Sequence, residues 1–394
     1  MKLLNQIQEQ LNTKLQYLCH FGCLLLLIFL VLGCQGQTSN SNNLGAEQAN
    51  SEDLGRSNTQ LTLNDAVLEQ SNQTGNLVWK IKAKRTTYSD DRQIGYLEDI
   101  TANLLQEGKV ILKLKGDQGE VREQGNLILL QQNIVAGDAR NDMVLQGNRL
   151  EWRPLDSVLV ITEDLSANRL DTSLSASSAN YYTDRESLEL TDNVVINNVN
   201  PNLVLESDRA VWQVPQQKIS TEGQATIVRY AENTVTDRLL SSNVLVDLGR
   251  QTANFENSFE LRSLQPQLTA AGQTAIWNYQ LRSITSDQPM RVVAPEFTVT
   301  GNQSTVDLNK ELVILSKGIE GKTTEAETIY AQDALWTIAN QEVIASGNVI
   351  YNKTRPKVAL TGDKATINLK TSKAIVVSDS PNAKPVISRI QQVQ

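Results

Sequence analysis

The side chains best suited to covalent or metal chemistry are crowded into one short stretch. Cys19, His20, Cys23 and Cys34 are the only thiols and the only imidazole in the 394 residues, and none follows position 34. The long remainder therefore has no Cys nucleophile, no His-assisted nucleophile, no disulfide and no thiolate- or imidazole-based zinc or haem site. Carboxylate chemistry stays open. Its candidate pairs are Asp90 with Asp91 and Glu325 with Glu327, although paired charges of this kind ordinarily sit in solvated loops. No loop has the Asp spacing of an EF-hand calcium site. A formal charge of -8, with no run of Lys or Arg, argues against a nucleic-acid partner, which needs basic groups along a phosphate path. It argues equally against capture of an anionic lipid by a basic surface. Affinity for such a lipid would have to come from apolar contact with its tails.

The cysteine cluster makes sense as part of an address. Residues 21–33 read FGCLLLLIFLVLG and are followed by Cys34. The run is short for a membrane span, which needs about 20 residues, and has the size of a signal-peptide core. Its end, Val31-Leu32-Gly33-Cys34, resembles the lipobox of bacterial lipoproteins. That resemblance implies cleavage after Gly33 and a lipid-bearing Cys34. The alternative is an uncleaved anchor from Leu15 to Leu32. Either way, residues 1–33 are expected to deliver the chain to the outer side of a membrane and hold it there. Residues 34–60 are rich in Ser, Asn, Gln and Gly and read as a flexible tether. Its 26 residues from Gln35 onward span about 25–30 Å at roughly 5–6 Å × √n. Removing residues 1–33, with Lys2, Lys14 and Glu9, shifts the charge to -9.

Beyond the tether the chain repeats. Trp152, Trp212, Trp277 and Trp336 are spaced by 60, 65 and 59 residues. Similar contexts between them give the series Tyr88, Val121, Trp152, Tyr181, Trp212, Val246, Trp277, Val306, Trp336 and Ile367, with steps of 29 to 34. A second apolar marker follows thirteen residues later in most units, as in Trp152 to Leu165, Tyr181 to Val194 and Trp336 to Val349. Several second markers come straight after a turn-like pair, as in Asp192-Asn193-Val194 and Gly347-Asn348-Val349. Around each first marker the pattern alternates. Ala210, Trp212 and Val214 share one face, while Arg209, Val211 and Gln213 share the other. Period two is strand periodicity, with one face buried and one wet. A small residue two places before a large one suggests side chains interlocking across a narrow interior. Each unit therefore reads as two strands of 6–9 residues, and ten units give about twenty strands. The expected fold is all-β: a long antiparallel sheet folded over to cover its apolar face.

Three groups of residues carry a resemblance to a known family. Gly75-x-x-x-Trp79-x-Ile81-x-Ala83, then Tyr88, then Leu97-Glu98-Asp99-Ile100 resemble the opening of an LptC domain. Asp208-Arg209-Ala210-Val211-Trp212 and Gly347-Asn348-Val349 resemble the OstA-type repeats shared by LptC and LptA. The similarity runs over about residues 61–380, roughly twice the length of one such domain. The chain therefore reads as two LptC-like segments, 61–235 and 236–380, followed by a tail at 381–394. The resemblance implies a β-jellyroll or β-taco groove. It implies acceptance of lipopolysaccharide from an inner-membrane ABC transporter and delivery to an LptA-like periplasmic protein, with the acyl chains in the groove and the sugars in water. The resemblance implies no ATP hydrolysis by this component, and with no Cys or His after residue 34 no catalysis, no cofactor and no metal are expected.

The residues expected to face the acyl chains are Tyr88, Trp152, Tyr181, Trp212, Val246, Trp277, Val306, Trp336 and Ile367. An apolar strip without fixed polar contacts holds a chain while letting it move. The same residues would equally fill a closed core. The end strands, near residues 61–70 and 365–378, are expected to be free to add to neighbouring sheets. Two other classes compete: a right-handed β-helix acting on polysaccharide through Asp, Glu, Lys or Arg, and an envelope scaffold or adhesin.

Overall fold

A computed structural model gives the fold of residues 61–378. Cys34, the apolar leader, the tether and the C-terminal tail fall outside the described residues. Twenty-eight strands form one antiparallel sheet. The β-helix alternative does not describe this fold, because its ladders are parallel. The expectation of an all-β folded sheet with two strands per repeat is met.

The strands are longer than the 6–9 residues expected. Lys109–Arg122 and Lys218–Ala231 each have 14 residues. Each is one rung of a stack, bent in the middle. Seven rungs break at the bend into two strands each, as at Val158–Thr162 and Ser166–Arg169, so the 28 strands make 21 rungs. The bend is a bulge at which the pairing register shifts, for example between Gln131 and Ile134 and between Ser346 and Val349. It uses left-handed residue pairs: Gln132-Asn133, Glu163-Asp164, Asp192-Asn193 and Gly347-Asn348 all have positive φ. Asn, Asp and Gly tolerate that conformation best. Sequence alternation slips by one residue there, which is why each rung looked like a shorter strand.

The aligned bends form a crease, and the sheet folds along it into two facing arms. Polar side chains stitch neighbouring bends along the crease: Asn133 Nδ2 donates to Asp117 Oδ2 at 2.6 Å, and Asn148 Nδ2 to Asp164 Oδ2 at 2.7 Å. The tryptophan arm carries the first markers. The opposite arm begins just past the bend with the second markers, such as Ile134, Val194 and Val349. The two inner faces meet. Phe297 of the opposite arm lies edge-on to Trp336, with ring centroids 5.2 Å apart. Trp79 lies edge-on to Trp152 at 6.5 Å.

The small-before-large pattern now has a geometric cause. Position 210 lies nearer the crease than position 212, because the tryptophan arm runs from the bend to the turn at residues 214–217. Ala179, Ala210, Ala275, Ala334 and Ala365 therefore occupy the narrow part of the wedge, where the arms converge. Tyr181, Trp212, Trp277, Trp336 and Ile367 fill the wider part. Close packing in a wedge demands side chains graded in size.

Among the described residues the two ends are open, and Thr62–Ser71 pairs only with Leu77–Tyr88. Lys373–Val377 covers only residues 364–368 of the preceding strand, so residues 358–362 face no further strand among the described residues. At residue 235 the sheet is continuous, because Lys218–Ala231 and Thr234–Ser241 form a hairpin.

Candidate functional site

The first markers line up as one ladder of cross-strand neighbours. Starting at Tyr88, successive pairings lead through Gly95, Val121, Ile128, Trp152, Leu159, Tyr181, Leu188 and Trp212. They continue through Ile219, Val246, Ala253, Trp277, Ile284, Val306, Val313, Trp336, Val343 and Ile367 to Ala374. Trp152, Tyr181, Trp212, Val246, Trp277, Val306, Trp336 and Ile367 are buried on this inner face. Tyr88 is half-buried, with its ring beside Gly95.

Every second rung of the ladder escaped the sequence reading. Ile128, Leu159, Leu188, Ile219 and Val313 are as apolar as the markers, but smaller and commoner than tryptophan. A signal was present, since each lies seven residues after its marker. That constant offset is the turn at the free end of the tryptophan arm. The turns of the opposite arm vary, from Glu107-Gly108 to residues 139–143, and absorb the spread of 29 to 34 in the repeat.

Opposite the crease, the free ends of the two arms form a mouth. The Trp79 indole N–H crosses it to the Gly125 carbonyl at 3.2 Å, and two clasps built on buried carboxylates cross it further along. In the first, Asp138 of the opposite arm is fully buried. It accepts from Arg140 Nη2 at 2.6 Å and from the Tyr181 hydroxyl at 2.6 Å. Arg140 Nη1 also donates to the Thr183 carbonyl at 2.8 Å, and Asn141 Nδ2 donates to Glu186 Oε2 at 2.7 Å, both on the tryptophan arm. Burial together with the Asp138 contact raises the pKa of the Tyr181 hydroxyl well above its usual value.

In the second clasp, Asp237 of the opposite arm is fully buried. It accepts from Arg282 Nε at 2.9 Å and Nη2 at 2.7 Å. Arg282 stands in the turn of the tryptophan arm. Arg229 lies 3.9 Å from Asp237 and donates through Nε to the Tyr279 carbonyl at 3.0 Å. Burial lowers the pKa of Arg229 against the pull of Asp237. A third buried carboxylate, Glu327, accepts from Lys353 Nζ at 2.6 Å within the opposite arm.

Asp138 and Asp237 were also missed, whereas Glu327 is weighed with Glu325 as a catalytic pair. Their signal is a charge on the inward phase of a strand: Asp138 follows Ile134 and Ala136, and Asp237 precedes Leu239. Between the two clasps lies an apolar gap of about 30 Å3, lined from both arms by residues including Leu203, Leu205, Ile227, Val246 and Tyr279.

The carboxylate pairs weighed for catalysis do not form acid–base constellations. Asp91 sits in an exposed turn, where Ser89 and the Gln93 N–H lower its pKa. Glu325 and Glu327 share the Lys353 ammonium. No group of three or more potential metal-ligating residues occurs among the described residues. No helix among them is long and apolar enough to cross a membrane.

The inner ladder forms a continuous apolar face that is filled and closed between the two arms. Residues 23–154 match the family described as lipopolysaccharide-assembly, LptC-related. The match covers 132 of the 394 residues and speaks for that segment alone. It covers the rungs from Thr62–Ser71 to Val144–Arg153 and ends at Pro154, whereas the inner ladder continues from Trp152 to Ala374 with the same geometry. The LptC-related segment thus includes Trp79, Asp138 and Arg140 but not the second clasp. None of the curated proteins compared with the chain matches it.

Proposed function

We propose that this protein is a non-enzymatic, membrane-tethered periplasmic component of lipopolysaccharide export, carrying acyl chains between its two arms. In this reading it takes lipopolysaccharide from an inner-membrane ABC transporter and passes it to an LptA-like partner. The tether is a lipid on Cys34 or an N-terminal helix. The observation that carries the reading is the inner ladder, twenty cross-strand positions long, joined to an LptC-related segment at its start.

The arms are closed, and the ladder residues fill the space between them, so the chains enter by parting the arms. The gap between the clasps is lined almost wholly by apolar side chains from both arms, so it is a place where the arms can part around a chain. Each Å2 of apolar surface covered contributes about 25 cal/mol. That attraction is spread along the path, so no single position traps the lipid. Sugars stay in water at the mouth. Direction comes from the transporter. The half-paired last rungs offer an edge to which the partner's strand adds.

A photo-crosslinking residue at Trp212, with Arg209 on the outer face as control, tests the reading. Capture of lipopolysaccharide in cells at 212 and not at 209 is expected. Capture at neither position, in a folded and tethered protein, would make the interior a packed core and end the carrier reading. Deleting residues 365–394 is expected to abolish binding to an LptA-like protein, and undiminished binding in a pull-down would remove the edge from the argument.

A further inference from the structure

The five tryptophans divide into two chemical kinds. Trp79 has its indole N–H satisfied, donating to Gln70 Oε1 at 2.6 Å and to the Gly125 carbonyl at 3.2 Å. Trp152, Trp212, Trp277 and Trp336 are at most 1% exposed, and the Nε1 of each has no hydrogen-bond partner among the described residues. Native interiors leave few buried donors unpaired, and buried tryptophan N–H groups usually find an acceptor. Here four orphans share one face at one repeated position.

Their spacing is regular. Trp152 reaches Trp212 through Leu159, Tyr181 and Leu188, which is four rungs. Trp212 to Trp277 is again four rungs, and so is Trp277 to Trp336. At about 4.8 Å per rung, a donor recurs roughly every 19 Å. Each lies on the mouth side of a smaller residue, as Trp212 does beside Ala210 and Trp277 beside Ala275. The apolar gap is lined by Ile219 and Val246, which lie between Trp212 and Trp277 in the ladder.

We propose that these four N–H groups are donor stations for the ester or amide carbonyls of an acylated lipid, an inference that rests on the acyl-carrier reading above. The surrounding face is Leu, Ile, Val and Ala. A pure hydrocarbon would leave the donors orphaned. A sugar or phosphate would need many more polar partners than one N–H per four rungs. A ligand that is mostly apolar with sparse acceptors fits, and in an acylated lipid those acceptors are the carbonyls where chains join the headgroup. With chains directed toward the crease, the linkages lie at the depth of the tryptophans.

The test exchanges single tryptophans for 3-benzothienyl-L-alanine, which keeps the bicyclic shape and puts sulfur in place of the N–H. Trp212 and Trp277 are replaced one at a time in the full chain, with Trp79 as the control. Two probes are titrated: lipid A with ester- and amide-linked chains, and a synthetic analogue whose chains are joined only through ether and amine links. Replacement at 212 or 277 is expected to weaken lipid A binding about tenfold, the worth of one ordinary hydrogen bond. Binding of the alkyl analogue should stay within about twofold, and replacement at 79 should change neither. Equal losses for both probes, or no loss for either, would overturn the stations while leaving the carrier intact. If the unaltered protein binds neither probe, the carrier reading falls and the stations fall with it.

Discussion

Exchanging Asp237 for Asn should unfasten the second clasp with little change in shape. The carboxylate is fully buried and holds Arg282 through two hydrogen bonds at 2.9 and 2.7 Å. It also accepts from Thr236 Oγ1 at 2.9 Å and faces Arg229 at 3.9 Å. The Arg282 and Arg229 side chains are only 13% and 15% exposed. The substitution would leave two poorly hydrated guanidinium groups facing a neutral amide. Removing one partner of a buried ion pair costs about 3–5 kcal/mol. That is two to three and a half orders of magnitude in an equilibrium constant. Stacked rungs contact only their neighbours, so much of the change should appear as local parting of the arms. Hydrogen exchange is the direct assay. Amides around Tyr279–Arg282 and in Thr234–Ser241 should exchange faster by up to that factor, while rungs near Trp336 keep their protection. A double variant with Leu at 237 and 282 should regain part of the loss, because fewer charges are stranded. The reasoning is wrong if Asp237→Asn shifts neither exchange at 279–282 nor urea stability by more than about 1 kcal/mol.

Three further outcomes follow from the same interior. Burial is the leading cause of the raised pKa of Tyr181, Tyr279 and Tyr351. Their contribution to stability is therefore complete below the unfolded value near pH 10 and is lost as pH rises above it. The melting temperature should fall above pH 10, and a variant with Phe at all three positions should fall less steeply; identical profiles would refute the assignment. A Cβ on Gly119 would come within 2.6 Å of the Leu129 carbonyl and 2.7 Å of Ile100, whereas one on Gly137 meets nothing within 4 Å. Gly119→Ala should cost about 1–3 kcal/mol and Gly137→Ala less than about 0.5 in urea unfolding, and equal effects would contradict the packing described. Lys353→Met should destabilise more than Glu327→Gln in the same assay, because it strands a carboxylate that is 2% exposed while the lysine is 20% exposed; the reverse order would mean that Glu327 is hydrated.

The tryptophan wall was readable from the chain because two periodicities coincide on it. Alternation at Ala210, Trp212 and Val214 identifies a strand with one dry face, and recurrence of that pattern every 31 residues or so identifies a stack. The crease was only half readable. Asp192-Asn193 and Gly347-Asn348 look like ordinary turns, and nothing local distinguishes a turn that ends a strand from a bulge that bends one. The clasps were not readable at all in practice. Asp138 and Arg140 are two residues apart, but their value comes from Tyr181 and Thr183, more than forty residues away, and that distance closes only when the arms face each other. The orphan indole donors belong to the same class: a tryptophan announces its bulk in a sequence, whereas the fate of its N–H depends on neighbours brought in by the fold.

The invariant seven-residue step of the tryptophan arm makes the protein a gauge. With 21 rungs about 4.8 Å apart, the path from first to last is roughly 95 Å. Each additional unit would extend it by about 10 Å while leaving the cross-section and both terminal edges as they are. Reach is therefore counted in units, and internal duplication changes it without redesigning any wall. Covalent continuity has a kinetic consequence as well. Where separate subunits stacked edge to edge would cover the same distance with a joint that comes apart at some rate, this chain spans it with none.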